Sequence, residues 1–234
     1  MKSESIHYDF EQQLCSTEAI SAPICIAPKT DEKTDFLSQL YLDASTWNTI
    51  YEGFGHVEFS KGSITLEPKA ANQKDETHAA LILNRDSQIL GIKNFVLEVD
   101  ASTVRQLRSP TPNAWECLWI FFNYQPNGPW KETNYFTLKP NGTEIGHAYG
   151  EVEQDFLFTS ENPTLKIGQT NHFRIEKYGT YFNVLINGNA LSLPPDLGAL
   201  LYSHSGAFGF YTEDARVRID AVKLQILDES LCCE

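Results

Sequence analysis

From Trp47 onward the chain is a succession of short alternating segments separated by glycine-containing turns, a punctuation that few architectures other than stacked antiparallel sheet accommodate. In "GHVEFSKGSITLEP" the alternation reverses around Lys61-Gly62, and "HAALILN" is an unbroken apolar run suited to a buried strand. "NFVLEVDAS" places Phe95, Leu97, Val99 and Ala101 on one face. Tyr178-Gly179 and Asn187-Gly188 mark further turns, with Phe182, Val184 and Ile186 sharing an inward face. In "TNYFTLKPNGTEIGH", residues 133–147, Asn141-Gly142 reads as the centre of a type I′ turn, because both residue types tolerate positive φ. No long segment keeps a helical period. About a dozen strands without intervening helices predict an all-β, two-sheet antiparallel sandwich.

Composition sets the scale of that sandwich. A chain of 234 residues with 41% hydrophobic content can bury a full core as one domain. Residues 1–35, acidic and rich in Ser and Thr, read as a partly irregular N-terminal arm, leaving 36–230 as a single domain. A formal net charge of −13 repels phosphate backbones and anionic lipid heads, so nucleic acid is not an expected partner. The N-terminal segment has no basic stretch followed by an apolar one and no membrane-spanning run, so a cytoplasmic location without membrane insertion is the expectation. Cys15, Cys25, Cys117, Cys232 and Cys233 form an odd set without metal-ligand spacing; Cys117 falls in a strand pattern and reads as a small buried hydrophobe, and the adjacent tail cysteines as part of a frayed terminus.

"HFRIEKYGTYFNVLINGNALSL" followed by "SGAFGFYTEDARVRIDAVKLQIL" resembles the closing half of concanavalin A-like jelly rolls, in particular the 3-keto-disaccharide hydrolase type, or family 16-like glycoside hydrolase domain. The resemblance spans roughly residues 45–227, and Trp47, Gly53 and Gly55 echo the opening phrase of that group. It implies a jelly roll with one curved sheet whose concave outer face forms a groove. It does not fix a function, since lectins, laminin-G-like modules, glycosidases and lyases share the architecture.

Strand parity then sorts the side chains. With Phe136 and Leu138 in the core, Tyr135, Thr137 and Lys139 face outward; with Leu118, Ile120 and Phe122 inside, Trp115, Trp119 and Phe121 lie on the outer face. Phe208 and Phe210 are core, and Tyr211 points outward. So much apolar surface calls for a ligand or for a cover, such as the loop "QPNGPWKET". Sugar recognition pairs flat rings with polar partners: Trp115, Trp119, Tyr135 and Tyr211 supply the rings, with Phe121 as a further ligand contact on the same face, and Gln106, Arg108, Lys139 and Glu144 the hydrogen bonds.

Glycoside hydrolysis needs two carboxyls across a bond, for which Glu116 and Glu144 are the best pair, with Asp100 and Asp214 behind them. "WECLWIFF" holds one acid where laminarinase-like family 16 enzymes carry E-x-D-x-x-E, a departure from their retaining mechanism. A lyase would use Tyr135, His78 or His147 as base, with Lys139 as a further acid or base candidate. No cofactor is required, but jelly rolls of this type often hold a structural Ca²⁺, for which Asp214 and Asp220 are the candidate ligands. P-loop, dinucleotide, G-x-S-x-G and zinc patterns are missing from the sequence. The expected function is therefore carbohydrate binding or carbohydrate-directed chemistry in an aromatic groove. The alternatives are a natural-product type small-molecule enzyme or binder using the same groove for an apolar ligand, and a laminin-G-like protein-interaction module.

Overall fold

The computed structural model describes residues 37–125, 131–150, 153–201 and 205–227. The expected arm at 1–35, Cys15, Cys25, Cys232 and Cys233, and the middle of the "QPNGPWKET" loop lie outside the described residues.

The first strands are β1 (Ser38–Gln39), β2 (Trp47–Tyr51), β3 (His56–Ser60), β4 (Ser63–Glu67) and β5 (Ala79–Asn84), followed by a short helix α1 (Arg85–Leu90). Next come β6 (Phe95–Gln106), β7 (Leu118–Tyr124), β8 (Thr133–Lys139), β9 (Gly142–Tyr149) and β10 (Glu153–Ser160). The chain closes with β11 (Asn171–Tyr178), β12 (Tyr181–Ile186), β13 (Asn189–Ala190), a single helical turn α2 (Leu197–Leu200), β14 (Ala207–Glu213) and β15 (Ala215–Ile226). Among the described residues these form two antiparallel sheets. One has the order β13-β12-β11-β6-β15-β4-β3, with β1 also on β15; the other has β10-β9-β8-β7-β14-β5-β2. The fold class is the expected two-sheet antiparallel jelly-roll sandwich.

The core lies between the sheets, and the parity of the sequence places its residues. Phe95, Leu97, Val99 and Ala101 of β6 are buried opposite Ile120, Phe122, Phe136, Leu138, Phe208 and Phe210 of the other sheet. Phe136 meets Phe173 edge to face at 5.7 Å between ring centroids. At the β2 end, Trp47 packs on Phe208 and Phe210 at 5.6 and 5.2 Å, and its indole N–H donates to the carbonyl of Tyr41. Asn84 caps α1 by accepting from the Ser87 N–H.

Two turns follow their sequence signals. Lys61-Gly62 and Asn187-Gly188 carry positive φ at both central positions, the type I′ geometry. The β8–β9 hairpin differs from the expectation. Lys139 pairs with Gly142 and Leu138 with Thr143, so Pro140-Asn141 form the turn, not Asn141-Gly142. Proline explains the difference: its fixed φ suits the first central turn position, and it has no N–H to give to a ladder. The partner of each residue moves by two positions, so every side chain keeps its face. Gly142 takes φ +135°, and a Cβ there would lie 1.9 Å from the carbonyl oxygen of Ser160.

Lys177 is the one lysine among the largest fully buried side chains, 2% exposed, with its ammonium donating to the Lys93 carbonyl at 2.8 Å. Among the described residues no carboxylate lies within ion-pair distance of it, and burial pulls its pKa down from 10.5 to about 8. Between those values the unfolded chain binds a proton that the folded chain does not, so this contribution to stability rises with pH through that window. We expect the urea-unfolding free energy of the wild type to gain on that of Lys177→Met as pH rises from about 8 towards 10.5. A difference independent of pH would show that the lysine is not titrating there.

Candidate functional site

Three connections cross from one sheet to the other at the same end of the sandwich: residues 68–78 between β4 and β5, 107–117 between β6 and β7, and Asp214 between β14 and β15. A buried ionic cluster fastens all three. Arg108 donates through Nε to Glu116 and through Nη2 to Asp214 at 2.8 Å, and both carboxylates are fully buried. The same guanidinium donates to the backbone carbonyls of Gln73 and Glu76 at 3.1 and 2.8 Å. Asp214 adopts φ +42°, a left-handed conformation that Asp tolerates, and accepts from the His78 N–H at 3.1 Å. Burial raises the Asp214 pKa, while the His78 N–H and Arg108 pull it back.

This placement revises several expectations. Glu116 and Arg108 belong to the clasp, not to a surface that receives a ligand, because the segments at 68–78 and 107–117 fold over them. Gln106 donates to the Asn113 carbonyl and stabilises the same connection. Glu116 therefore does not face Glu144 across an open groove as an acid–base pair. Of the two candidate calcium ligands, Asp214 is held by Arg108 and Asp220 by Arg218 at 2.7 Å. Among the described residues no group of three His, Cys, Asp or Glu side chains is arranged to hold a metal ion. Asp100 of β6 pairs with its cross-strand neighbour His172 of β11, on the first sheet. His78 is buried between Glu76 and Asp214, and His147 lies beside Glu132 and Tyr149.

Above the clasp, the outer face of the second sheet holds a groove of about 690 Å³. Its floor is laid out by register: Tyr211 of β14, Trp119 of β7, Thr137 of β8 and Glu144 of β9 are direct cross-strand neighbours in succession. Trp115, Trp119, Phe121, Lys139, Glu144 and Tyr211 all line it. Phe121 and Tyr211 stack on each other at 4.8 Å and 16°, so their ring faces cover one another, and Trp119 stands at 80° to Tyr211. Trp119 and Phe121 are only 6% and 7% exposed, whereas Trp115 on the rim is 45% exposed. The exposed rings are thus at the margins, Trp115 on the rim and Phe156 on the edge strand, and the inner rings form a packed floor. The carbonyl of Trp115 accepts from the Trp119 indole N–H at 2.8 Å, which fixes rim to floor.

The polar part of the groove is a relay. Lys139 donates to Glu144 Oε2, and Tyr135 donates to Glu144 Oε1 at 2.9 Å. Tyr135 is fully buried beneath Trp119, its rings 4.6 Å apart, so it holds Glu144 in place and does not reach a ligand. Burial, with Glu144 adding to it, drives the Tyr135 phenol far above its usual pKa, opposite to what a tyrosine base requires. Gly146 makes room for this ring: a Cβ there would lie 2.3 Å from the phenol oxygen. Cys117, buried against Thr137, has its thiol pushed up to about 12 by burial and is no nucleophile.

Sequence reasoning missed Glu213, Gln154 and Phe156, which also line the groove. Glu213 follows Tyr211 by two positions on β14 and shares its face, so parity alone identifies it. Its carboxylate accepts from the Tyr211 hydroxyl at 2.5 Å. Burial raises its pKa; the Tyr211 bond opposes this, and the charges of Asp214 and Glu116 reinforce it. Phe156 gave no comparable signal, since it stands on the edge strand β10 beside a bulge that shifts the register between Phe156 and Phe158.

No protein-family model and no curated protein matches this sequence. Among solved structures it is similar to the carbohydrate-binding module CBM66 from Bacillus subtilis, with 12% identity, 77% of this chain and 95% of that chain covered, and a TM-score of 0.56. It is also similar to the VIP36 exoplasmic/lumenal domain in its Ca²⁺/Man3GlcNAc-bound form, with 12% identity over 81% of this chain and 89% of that one, and a TM-score of 0.54. A glycoside hydrolase family 16 endo-glucanase from Bacteroides ovatus gives 13% identity over 79% and 97%, with a TM-score of 0.51. The fold is that of the concanavalin A-like jelly rolls. At these identities the likeness concerns the concanavalin A-like fold alone, and what this chain does with its groove is a separate question.

Proposed function

We propose that this protein recognises a carbohydrate in the groove on the outer face of its second sheet. The observation that carries the proposal is the combination on one surface of an exposed rim indole, Trp115, a packed aromatic floor, and a fixed polar pair, Lys139 and Glu144, within the same cavity. A pyranose presents an apolar C–H face and a rim of hydroxyls, and such a surface matches both. The carbohydrate-binding module and the lectin domain that share the fold support the same reading. Lys139 and Glu144 offer a donor and an acceptor in defined positions, so a bound sugar meets hydrogen-bonding groups that need no reorganisation.

A second reading is an aromatic or apolar small molecule. Ala148 and Phe156 extend the apolar lining towards the edge strand, and Phe156 is 58% exposed there. Calorimetric titration of soluble neutral oligosaccharides separates the two. Trp115→Ala and Glu144→Gln are each expected to weaken oligosaccharide binding by about tenfold or more. The thermal unfolding temperature should stay close to that of the wild type in Trp115→Ala, and fall in Glu144→Gln, which breaks the buried pair with Lys139. Full affinity in both variants would remove the groove from sugar recognition. Binding of an apolar probe with none of any oligosaccharide would support the second reading.

A further inference from the structure

Resting on the carbohydrate reading of the groove, we propose that its ligand is a glycan bearing a protonated amine, which Glu213 recognises. Glu213 lines the cavity, and its hydrogen-bond partner among the described residues is the hydroxyl of Tyr211 at 2.5 Å. No basic side chain among the described residues makes an ion pair with it; the groove's lysine, Lys139, is engaged by Glu144, and Arg108 by Glu116 and Asp214. Among the described residues that line the cavity, Glu144 and Glu213 stand against the single ammonium of Lys139, so the lining carries an excess of negative charge there. A glycan carboxylate or sulfate is thereby disfavoured, and a cation is attracted.

Burial is what makes this carboxylate a recognition element. Where water is partly excluded, an anion without a counter-ion is held at a cost, and a ligand ammonium that pairs with it removes that cost. Burial raises the pKa of Glu213, with the charges of Asp214 and Glu116 adding to it and the Tyr211 hydroxyl and Arg108 opposing it, so its ionised form is held at a cost. The aromatic lining adds to the effect, because an ammonium close to Trp or Tyr gains from the ring quadrupole. A neutral hydroxyl at the same position gains neither.

The test compares three hexasaccharides of one backbone geometry, made of glucosamine, N-acetylglucosamine and glucose, titrated into the full chain at a series of pH values from mildly acidic to neutral, so that the range includes conditions where amine and Glu213 carboxylate are both charged. The glucosamine oligomer is expected to bind about tenfold or more tightly than the other two. In Glu213→Gln the ratio of affinities should fall to about one, and in Glu213→Asp, which keeps the charge, a preference should persist. Equal affinities for the three oligomers in the wild type would overturn the amine assignment and leave the carbohydrate reading standing. A preference that survives in Glu213→Gln would trace it to the net charge of the chain, and would also overturn the assignment. Failure of every oligosaccharide to bind would sink the carbohydrate reading and this inference with it.

Discussion

Arg108→Met is expected to destabilise the protein by about 3–5 kcal/mol at neutral pH, because it strands two carboxylates in the interior. Glu116 and Asp214 are both fully buried, and Arg108 is the cation that bridges them. The methionine fills much of the same volume, so lost packing is a small part of the effect. Three connections between the sheets lose their common anchor. The loss should shrink on acidification, since the stranded carboxyls in the variant then take up protons and cease to be buried charges. Replacing the whole set, Arg108→Met with Glu116→Gln and Asp214→Asn, should recover part of the stability, as buried ion clusters exchanged together often do. Urea titrations at two pH values check all three statements; an Arg108→Met protein as stable as the wild type would show that the cluster is not a clasp.

Phe136→Ala is expected to cost about 3–5 kcal/mol by a different mechanism. Phe136 is 1% exposed, sits mid-strand on β8 and meets Phe173 of the opposing sheet. Truncation leaves a cavity between two hydrogen-bonded sheets that cannot collapse freely around it. Unlike the Arg108 variant, this loss should not depend on pH, and ligand affinity should be unchanged wherever the protein is folded. A loss below about 1 kcal/mol would mean that the sheets repack over the gap.

The parts of this molecule that were readable in its sequence are those governed by neighbours in the chain. Alternation placed Phe136 and Leu138 inside and Tyr135, Thr137 and Lys139 outside, because the period of a strand is a local property. Lys61-Gly62 and Asn187-Gly188 announced their turns for the same reason. At Asn141-Gly142 two local signals competed, and Pro140 prevailed because its backbone angle is fixed. Depth was not readable. Nothing near Glu116 or Arg108 in sequence indicates that residues 68–78 fold across them, so two residues of ordinary surface type became a buried pair. Nor does parity reveal that Tyr135 lies beneath Trp119, or that Phe121 and Tyr211 turn their faces to each other. Glu213 is the opposite case: the period that found Tyr211 also finds it, and it was overlooked beside its neighbour Asp214.

The central claim is that the outer face of the second sheet is where a glycan binds, and the indole N–H resonances of the tryptophans test it most directly. Trp47 lies in the core with its N–H on the Tyr41 carbonyl, whereas Trp115 and Trp119 line the groove. In a protein labelled with ¹⁵N at tryptophan, saturating oligosaccharide is expected to shift the Trp115 and Trp119 indole signals and leave that of Trp47 in place. Saturable binding that leaves both groove indoles unshifted would place the glycan elsewhere and contradict the account.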